Sequence, residues 1–452
     1  MIFEAWLSIA ACLIVLALTV VVVRRSPTTL ALPLAYMINL LLLHVPGAYA
    51  FVISGGQYSG INNSTDAIST GIMITAVSAF CFLIGCSFFV LNNKRIEKYP
   101  KLINMNIDSY FITFCLVAGF ILSFGVGILR EIPTIGAAIY FGSSIWMIAV
   151  MIKLANSVKN RNLVKAFIWL CVLLAYPITI LVLSGFASYG AMAVIIVGSL
   201  AVIQTRSVWR SMLMVVAISY LGISVFVNYF ESRNELRSTL WSGAGFEERV
   251  GAVRDAFSHL ELFSSNNSSH LKALTLRLNQ NEFVGVAADR LASGQAEYLH
   301  GRTFYEALLS PIPRAIWKGK PVEGGSGQIV REMTGIRLTR KTSWGVGNVM
   351  ELYINFGLWS LVPGFLLLGW LIGWLDRRAS AALATSDPSH ALIYFLPGVA
   401  LIQPIGSLVE VVGGAFAALL AAVGLRLAWL MFQPKTARRY DRQSHSSGLG
   451  TR

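Results

Sequence analysis

Apolar runs of near 20 residues recur along this chain, and each is long enough to cross a bilayer as a helix. That repetition constrains the fold more than any other feature of the sequence. Only 13% of the 452 residues are charged, against roughly a quarter in a soluble domain. The first run, Ile2 to Val23, has no leading basic region and no small-residue cleavage site. It therefore reads as a retained span and not a removable signal. The expected class is an all-α polytopic membrane protein, with spans near 2–23, 30–53, 71–91, 108–129, 135–152, 163–183, 187–204, 211–230, 350–375, 390–406 and 408–432.

The formal net charge is +14. In a soluble protein this would suggest a nucleic-acid partner, but the positive-inside bias of membrane proteins explains it and no nucleic acid is expected. Arg24 and Arg25, Lys94 to Lys101, Lys153 to Lys165, Arg206 and Arg210, Arg377 and Arg378, and Lys435 to Arg442 all fall on one side of the expected spans. The cation-free loop 54–70 and the short turns near 131–134 and 184–186 lie opposite. This places the N-terminus outside and the C-terminus inside. Four regions follow: an eight-span membrane domain 1–230, an outer loop 231–349, a three-span domain 350–432 and a polar, basic tail 433–452 expected to be disordered. Pro397 and Pro404 leave room for a broken or re-entrant element near the last two spans. All five cysteines lie in apolar runs, so no structural disulfide is expected, and none has metal-ligand spacing with a histidine.

The outer loop holds 12 of the 22 acidic residues, so it is expected to form a folded aqueous domain or cap. Its 15 lysines and arginines stand on the side where such residues are normally sparse and call for a separate explanation. Phe246, Val250, Val253, Phe257 and Leu260 recur at helical spacing and predict an amphipathic surface helix. A second helix is predicted from Ser269 to about Ser293, with Leu271, Leu274 and Leu278 buried and Arg290 near its end. Arg233 and Arg237 extend the eighth span at i, i+4 and point to one side, either as snorkelling anchors or as a cationic pair. In PIPRAIWKGKP, Pro311 and Pro313 bar a continuous helix and Pro321 fixes the far end. The result is a stiff loop presenting Arg314, Lys318 and Lys320, with Trp317 as an anchor. Composition alone favours an interfacial belt, with tryptophan and basic residues at headgroup level. In WGVGNVMELYINFGLW, residues Asn348, Glu351 and Asn355 share one helix face at the outer mouth of the ninth span. A carboxylate there is a functional candidate, or else a headgroup-level acid paired with a loop arginine. Glu410 occupies a similar position between the last two spans. His44 reads as a packing residue.

The order DRLASGQ, GRTF, LLSPIPRAIWKGKP and MELYINFGLWSLVPG, after many spans and a large outer loop, resembles the Wzy-type oligosaccharide repeat-unit (O-antigen) polymerases. The matching positions are Pro313, Arg314, Trp317, Lys320 and Pro321, then Glu351, Tyr353, Asn355, Phe356 and Gly357. The motif match covers about 70 residues. One departure is LSGFASYGAMAV, where relatives often carry an arginine after a glycine and this chain has Ser188 and Tyr189. Arg233 or Arg237 would then have to replace that cation.

The resemblance implies transfer of a growing glycan from one undecaprenyl pyrophosphate carrier onto the sugar of another lipid-linked unit. It implies a membrane-embedded (GT-C type) glycosyltransferase fold at the periplasmic face of a bacterial inner membrane, and a flippase and chain-length regulator as pathway partners. Negative charge grows on the departing pyrophosphate, so fixed cations are the main catalytic resource, and arginine grips phosphate best. Arg314 and Lys320, with Lys318, Arg290, Arg302, Arg233 and Arg237, are candidates for the clamp. Trp317, Tyr353 and Asn355 are candidates for substrate contact. Glu351, or else Glu410, His300 or Glu306, would take the acceptor proton. Asp-x-Asp is absent and no His or Cys cluster suggests a metal, so neither metal nor cofactor is expected. Competing expectations are an O-antigen ligase, a flippase or other secondary transporter, for which no paired repeat is visible, and a scaffold whose basic loop binds anionic lipid.

Overall fold

A computed structural model describes residues 2–26, 28–56, 65–91, 107–125, 132–184, 187–205, 207–258, 260–313, 316–321, 326–336 and 345–433. The described residues are all-α. The first membrane half holds α1 (Ile2–Arg25), α2 (Leu32–Ile53), α3 (Thr65–Leu91), α4 (Ser109–Phe120), α5 (Pro133–Ser143), α6 (Trp146–Lys159), α7 (Leu163–Ser184), α8 (Ala187–Ile203) and α9 (Val208–Trp241). The large loop follows with α10 (Phe246–Ala256), α11 (Ser268–Arg277), α12 (Asn281–Ala292), α13 (Arg302–Leu309), α14 (Ser326–Thr334) and α15 (Asn348–Phe356). The chain closes with α16 (Leu358–Leu383), α17 (Leu392–Leu401) and α18 (Leu408–Phe432).

Among the described residues, eight helices are long and apolar enough to cross a membrane: Ile2–Arg25, Leu32–Ile53, Asp66–Phe88, Ile135–Lys159, Leu163–Leu183, Val208–Leu240, Leu358–Leu383 and Leu408–Phe432. Three shorter apolar helices, Ser109–Phe124, Gly190–Ile203 and Pro388–Leu401, stand where the other spans are expected. On α7 the outward residues Leu163, Val164, Phe167, Ile168 and Ile178 are all exposed. A helix apolar on its exposed face as well as its buried one belongs in lipid. The chain is therefore a multi-pass membrane protein. The basic loop 94–101 and the tail beyond residue 433 lie outside the described residues.

The centre of the bundle is α3, packed against α1, α12 and α16. Gly369 faces Phe82 and Gly373 faces Cys86, so α3 and α16 run side by side in the same direction. The C-terminal part of α16 is tied to the start of α2 by Asp376. One carboxylate oxygen accepts the N–H groups of Leu30 and Leu32, each at 3.0 Å, and the other accepts the Thr29 hydroxyl.

Two sequence expectations change in the large loop and at its exit. The ninth span does not start at residue 350, because Gly357 (φ 62°) breaks the chain between α15 and α16. The backbone conformation at Gly357 is one that a side chain would strain. The helix expected over 269–293 is two helices, parted at Leu278–Gln280. The cause lies in α2, where Pro46 cannot donate to the helical ladder and opens it. The segment 278–281 enters that opening. Gly47 N–H donates to Leu278 O (2.9 Å), Gln280 N–H donates to Leu43 O (3.0 Å), and Asn281 Nδ2 donates to His44 O (2.7 Å). Asn281 Oδ1 also lies 2.8 Å from His44 Nδ1 and accepts the Thr75 hydroxyl at 3.2 Å, which holds α2 to α3.

This insertion draws α12 in among the spans. Residues 281–288 are all buried, so part of the loop is core and not a cap above it. The approach is backbone to backbone: a Cβ on Gly285 would overlap the Ala67 carbonyl, and one on Gly71 would overlap that of Asn281. Gly285→Val is accordingly expected to destabilise the fold by about 3 kcal/mol or more. Its monodisperse yield in size-exclusion chromatography and its apparent Tm should fall sharply. Gly198→Ala, which meets nothing within 4 Å on α8, should be neutral or slightly stabilising.

Candidate functional site

The N-terminus of α15 is built onto the irregular segment between α17 and α18. Gly347 N–H donates to Ile405 O (3.1 Å), Asn348 N–H to Pro404 O (2.8 Å) and Asn348 Nδ2 to Gly406 O (3.1 Å). The Tyr36 hydroxyl of α2 donates to Asn348 Oδ1 at 3.0 Å. These bonds aim the next turn of α15 at the start of α18. Glu351 is fully buried there, and its Oε2 accepts the Leu408 N–H at 2.7 Å. Its Oε1 has no hydrogen-bond partner. The open N–H groups and dipole of a helix N-terminus favour a carboxylate, but here burial outweighs them. Burial pushes the Glu351 carboxyl up to about 8, with Glu410 and Glu306 adding to the rise. The Leu408 N–H and the Thr303 hydroxyl oppose it; that hydroxyl stands beside the carboxyl without closing a bond of good geometry to Oε1.

Asn355, one turn further on, fixes the neighbouring loop. Its Nδ2 donates to Thr303 Oγ1 (2.8 Å) and Glu351 O (2.7 Å), while Oδ1 accepts the Gly301 N–H (3.0 Å). Asn348, Glu351 and Asn355 thus share one buried face. Glu410 is exposed and closes a capping box on Ser407, whose N–H its Oε2 accepts at 3.0 Å. His300 is exposed, with its ring 6.0 Å from that of Phe356, and Tyr353 is half-buried.

The proline-rich element follows α13, which packs on α18. Helix α13 stops at Leu309, before Pro311 and Pro313. The Lys320 ammonium turns back and donates to Ile312 O (2.8 Å), Ser310 O (3.1 Å) and Leu309 O (3.4 Å). Lys320 thus satisfies carbonyls at the end of α13 and closes the loop on itself. Lys318 and Ile316 are exposed and Trp317 is 39% exposed, while Arg314 lies outside the described residues.

The remaining cations separate into two kinds. Arg302 makes a two-pronged ion pair with Glu332 (2.7 and 3.3 Å) and lies 4.0 Å from Glu306. Arg290 donates to Gln295 O at 3.2 Å and lies against Gly335. Arg233 and Arg237 sit half-buried on the C-terminal extension of α9, one turn apart as their spacing predicts. A third arginine, Arg277 at the end of α11, joins them; its guanidinium carbon lies 5.9 Å from the centroid of the Phe230 ring. Burial, then Arg233 and Arg237, push the Arg277 guanidinium down to about 10. Arg237 Nη2 reaches the Tyr229 hydroxyl at 3.5 Å. The sequence pattern does not reveal Arg277 as part of this group, because its contacts are with a helix about 40 residues earlier. No group of three or more His, Cys, Asp or Glu side chains that could hold a metal occurs among the described residues.

Residues 53–394 match the family model described as Domain of unknown function (DUF8712). The match covers well over half of the chain, so the chain belongs to that family. It encloses α13, α15 and the arginine group and stops short of α18. No curated protein and no solved structure matches the chain.

Two outcomes follow from this geometry. A carboxyl raised in the folded state keeps its proton where the unfolded chain has lost it. Stability should therefore fall as pH rises from about 4.5 towards 8. Apparent Tm measured across that range should decline in the wild type and be flatter in Glu351→Gln. Lys320→Met should cost about 1–3 kcal/mol and increase proteolytic nicking within residues 310–321.

Proposed function

We propose that this chain polymerises oligosaccharide repeat units carried on undecaprenyl pyrophosphate. It would act at the periplasmic face of a bacterial inner membrane, as a metal-independent glycosyltransferase of the GT-C type with eleven spans. The observation that carries the reading is Glu351: a buried carboxyl with one oxygen held by the Leu408 N–H and the other without a partner. This residue stands in the MELYINFG motif that prompted the resemblance. Helix α13, which leads into the proline-rich motif, packs against the same helix, α18.

In the transfer, Glu351 takes the proton from the acceptor hydroxyl while that oxygen bonds to the anomeric carbon of the donor sugar. The bond from that carbon to the diphosphate oxygen breaks, and its electron pair leaves on the diphosphate. A carboxylate whose proton affinity lies near neutral is a stronger base than an exposed one. Its Leu408 contact keeps it oriented through the transfer. Thr303 and Asn355 fix the wall beside it, and Arg314 and the arginines on α9 stabilise the charge on the leaving group. The product would be O-antigen or a related surface polysaccharide, made alongside the flippase and chain-length regulator of the same pathway.

Glu351→Gln is expected to reach the membrane at wild-type level and to make little or no long-chain polysaccharide in a strain lacking its polymerase. Arg314→Ala should do the same, and full-length polymer from either variant would remove that residue from its role. With purified protein and a lipid-linked repeat, kcat/KM should rise with pH through about 8, as Glu351 loses its proton. The rival O-antigen ligase is separated by the deletion phenotype: single repeat units at the surface support polymerisation, whereas long glycan left on its lipid carrier supports ligation.

A further inference from the structure

We infer that α13 and the proline-rich loop behind it are sunk into the lipid leaflet on the large-loop side, with Tyr305, Leu308, Ile316 and Trp317 in contact with lipid. The reaction proposed above plays no part in this placement. Helix α13 carries apolar residues on two faces. Phe304 packs on the core and Ala307 is buried, while Tyr305 and Leu308, three residues apart, are exposed, Leu308 by 76%. A helix of this kind is at odds with water and suited to lipid. Ile316, 79% exposed, and Trp317 continue the apolar surface beyond the helix.

The depth follows from α18. A Cβ on Gly413 would come within 3.3 Å of Ser310 Oγ, so the end of α13 rests on that residue. Leu420 and Leu427 recur at seven-residue steps from Gly413, share its face of α18 and are exposed to lipid. Arg426, paired with Asp387 in the turn between α16 and α17, marks the opposite side of the membrane. From Arg426 to Gly413 is about 20 Å along the helix, short of the ~30 Å hydrocarbon thickness.

Irregular backbone persists at such a depth only when its polar groups find partners, and the loop supplies them. Pro311, Pro313 and Pro321 have no N–H to satisfy. Ser310, Ile312, Ile316, Trp317 and Lys320 each donate theirs to a carbonyl between Ala307 and Trp317. The Lys320 ammonium serves the carbonyls of Leu309, Ser310 and Ile312, as water would in an aqueous loop. Lys318 is exposed beside Trp317. An indole at the hydrocarbon edge and an ammonium reaching up to lipid phosphate hold a loop at that level. The exposed surface is continuous with the lipid face of α18, so the occupant is the bilayer itself.

The test is nitroxide labelling of the full-length protein in nanodiscs of phosphatidylethanolamine and phosphatidylglycerol. Cys171, which is exposed, is replaced in a Cys171→Ser background, and Cys12, Cys81, Cys86 and Cys115 are buried. Labels at Leu308→Cys and Ile316→Cys should be reached several-fold better by oxygen than by a water-soluble nickel chelate. A label at Leu427→Cys, on the lipid face of α18, should behave in the same way. A label at Lys272→Cys, exposed on α11, should show the reverse preference. Tyr305→Cys, exposed on α13, carries the test if either loop variant does not fold. In Lys320→Met three carbonyls lose their donor, and nickel access at residue 308 should rise several-fold; no change there would overturn the part given to Lys320. Nickel access at residues 308 and 316 equal to that at residue 272 would put the loop in water and overturn the inference. Labels shielded from both reagents would overturn it as well, by placing a protein partner or a second copy of this chain on the surface.

Discussion

The large loop of this protein is anchored by main-chain hydrogen bonds exchanged between α2 and residues 278–281. Pro46 leaves a gap in the ladder of a helix that is otherwise in apolar surroundings, where an unsatisfied peptide group costs several kcal/mol. Leu278, Gln280 and Asn281 supply the missing partners from a distant part of the sequence. Each side then needs the other: without the insert α2 has open backbone groups in an apolar environment, and without α2 the break between α11 and α12 has no partners. The two helices leave this junction in different roles. Helix α11 ends in Arg277 against α9, and α12 packs into the bundle against α3 and α15.

The second determinant is the position of Glu351 relative to α18. An acid buried completely is normally neutralised or paired. Among the described residues no arginine or lysine side chain bonds to it; a backbone N–H at the first turn of a helix takes one oxygen. Such a donor orients the carboxyl without supplying a full counter-charge, and so leaves its proton affinity high. Glu410, with a similar place in the sequence, lies on the solvent side of the same turn and spends its carboxylate on the Ser407 cap. Both carboxyls meet the start of α18, Glu351 reaching it from α15 and Glu410 from the first turn of α18 itself.

Much of this was legible in the sequence because it follows from local periodicity. Long apolar runs mark the helices, and the three- and four-residue spacing of Asn348, Glu351 and Asn355 marks their common face. The i, i+4 spacing of Arg233 and Arg237 likewise survives in the long α9. Features made by distant contacts were not legible. The apolar spacing of Leu271, Leu274 and Leu278 suggests an uninterrupted helix, since nothing in it signals that the backbone at 278–280 bonds to another helix. Arg277 looks like any other loop cation until the chain folds it onto Phe230. Lys320 has the composition of a substrate contact, yet its ammonium is occupied by carbonyls only a few residues away. Gly357 is visible in the motif, but its positive φ is what sets a separate helix before α16.

The fastening of α2 has a mechanical consequence. Its N-terminal end is held by Asp376 of α16, its second turn by Tyr36 on Asn348, and the start of its C-terminal half by the 278–281 insert. Helix α2 is thus a strut pinned at three levels to elements from the C-terminal half of the chain. Rocking one half of the bundle against the other, as an alternating-access cycle does, would shear buried hydrogen bonds at all three pins together. A molecule braced in this way is suited to holding the groups on these helices in fixed relative positions.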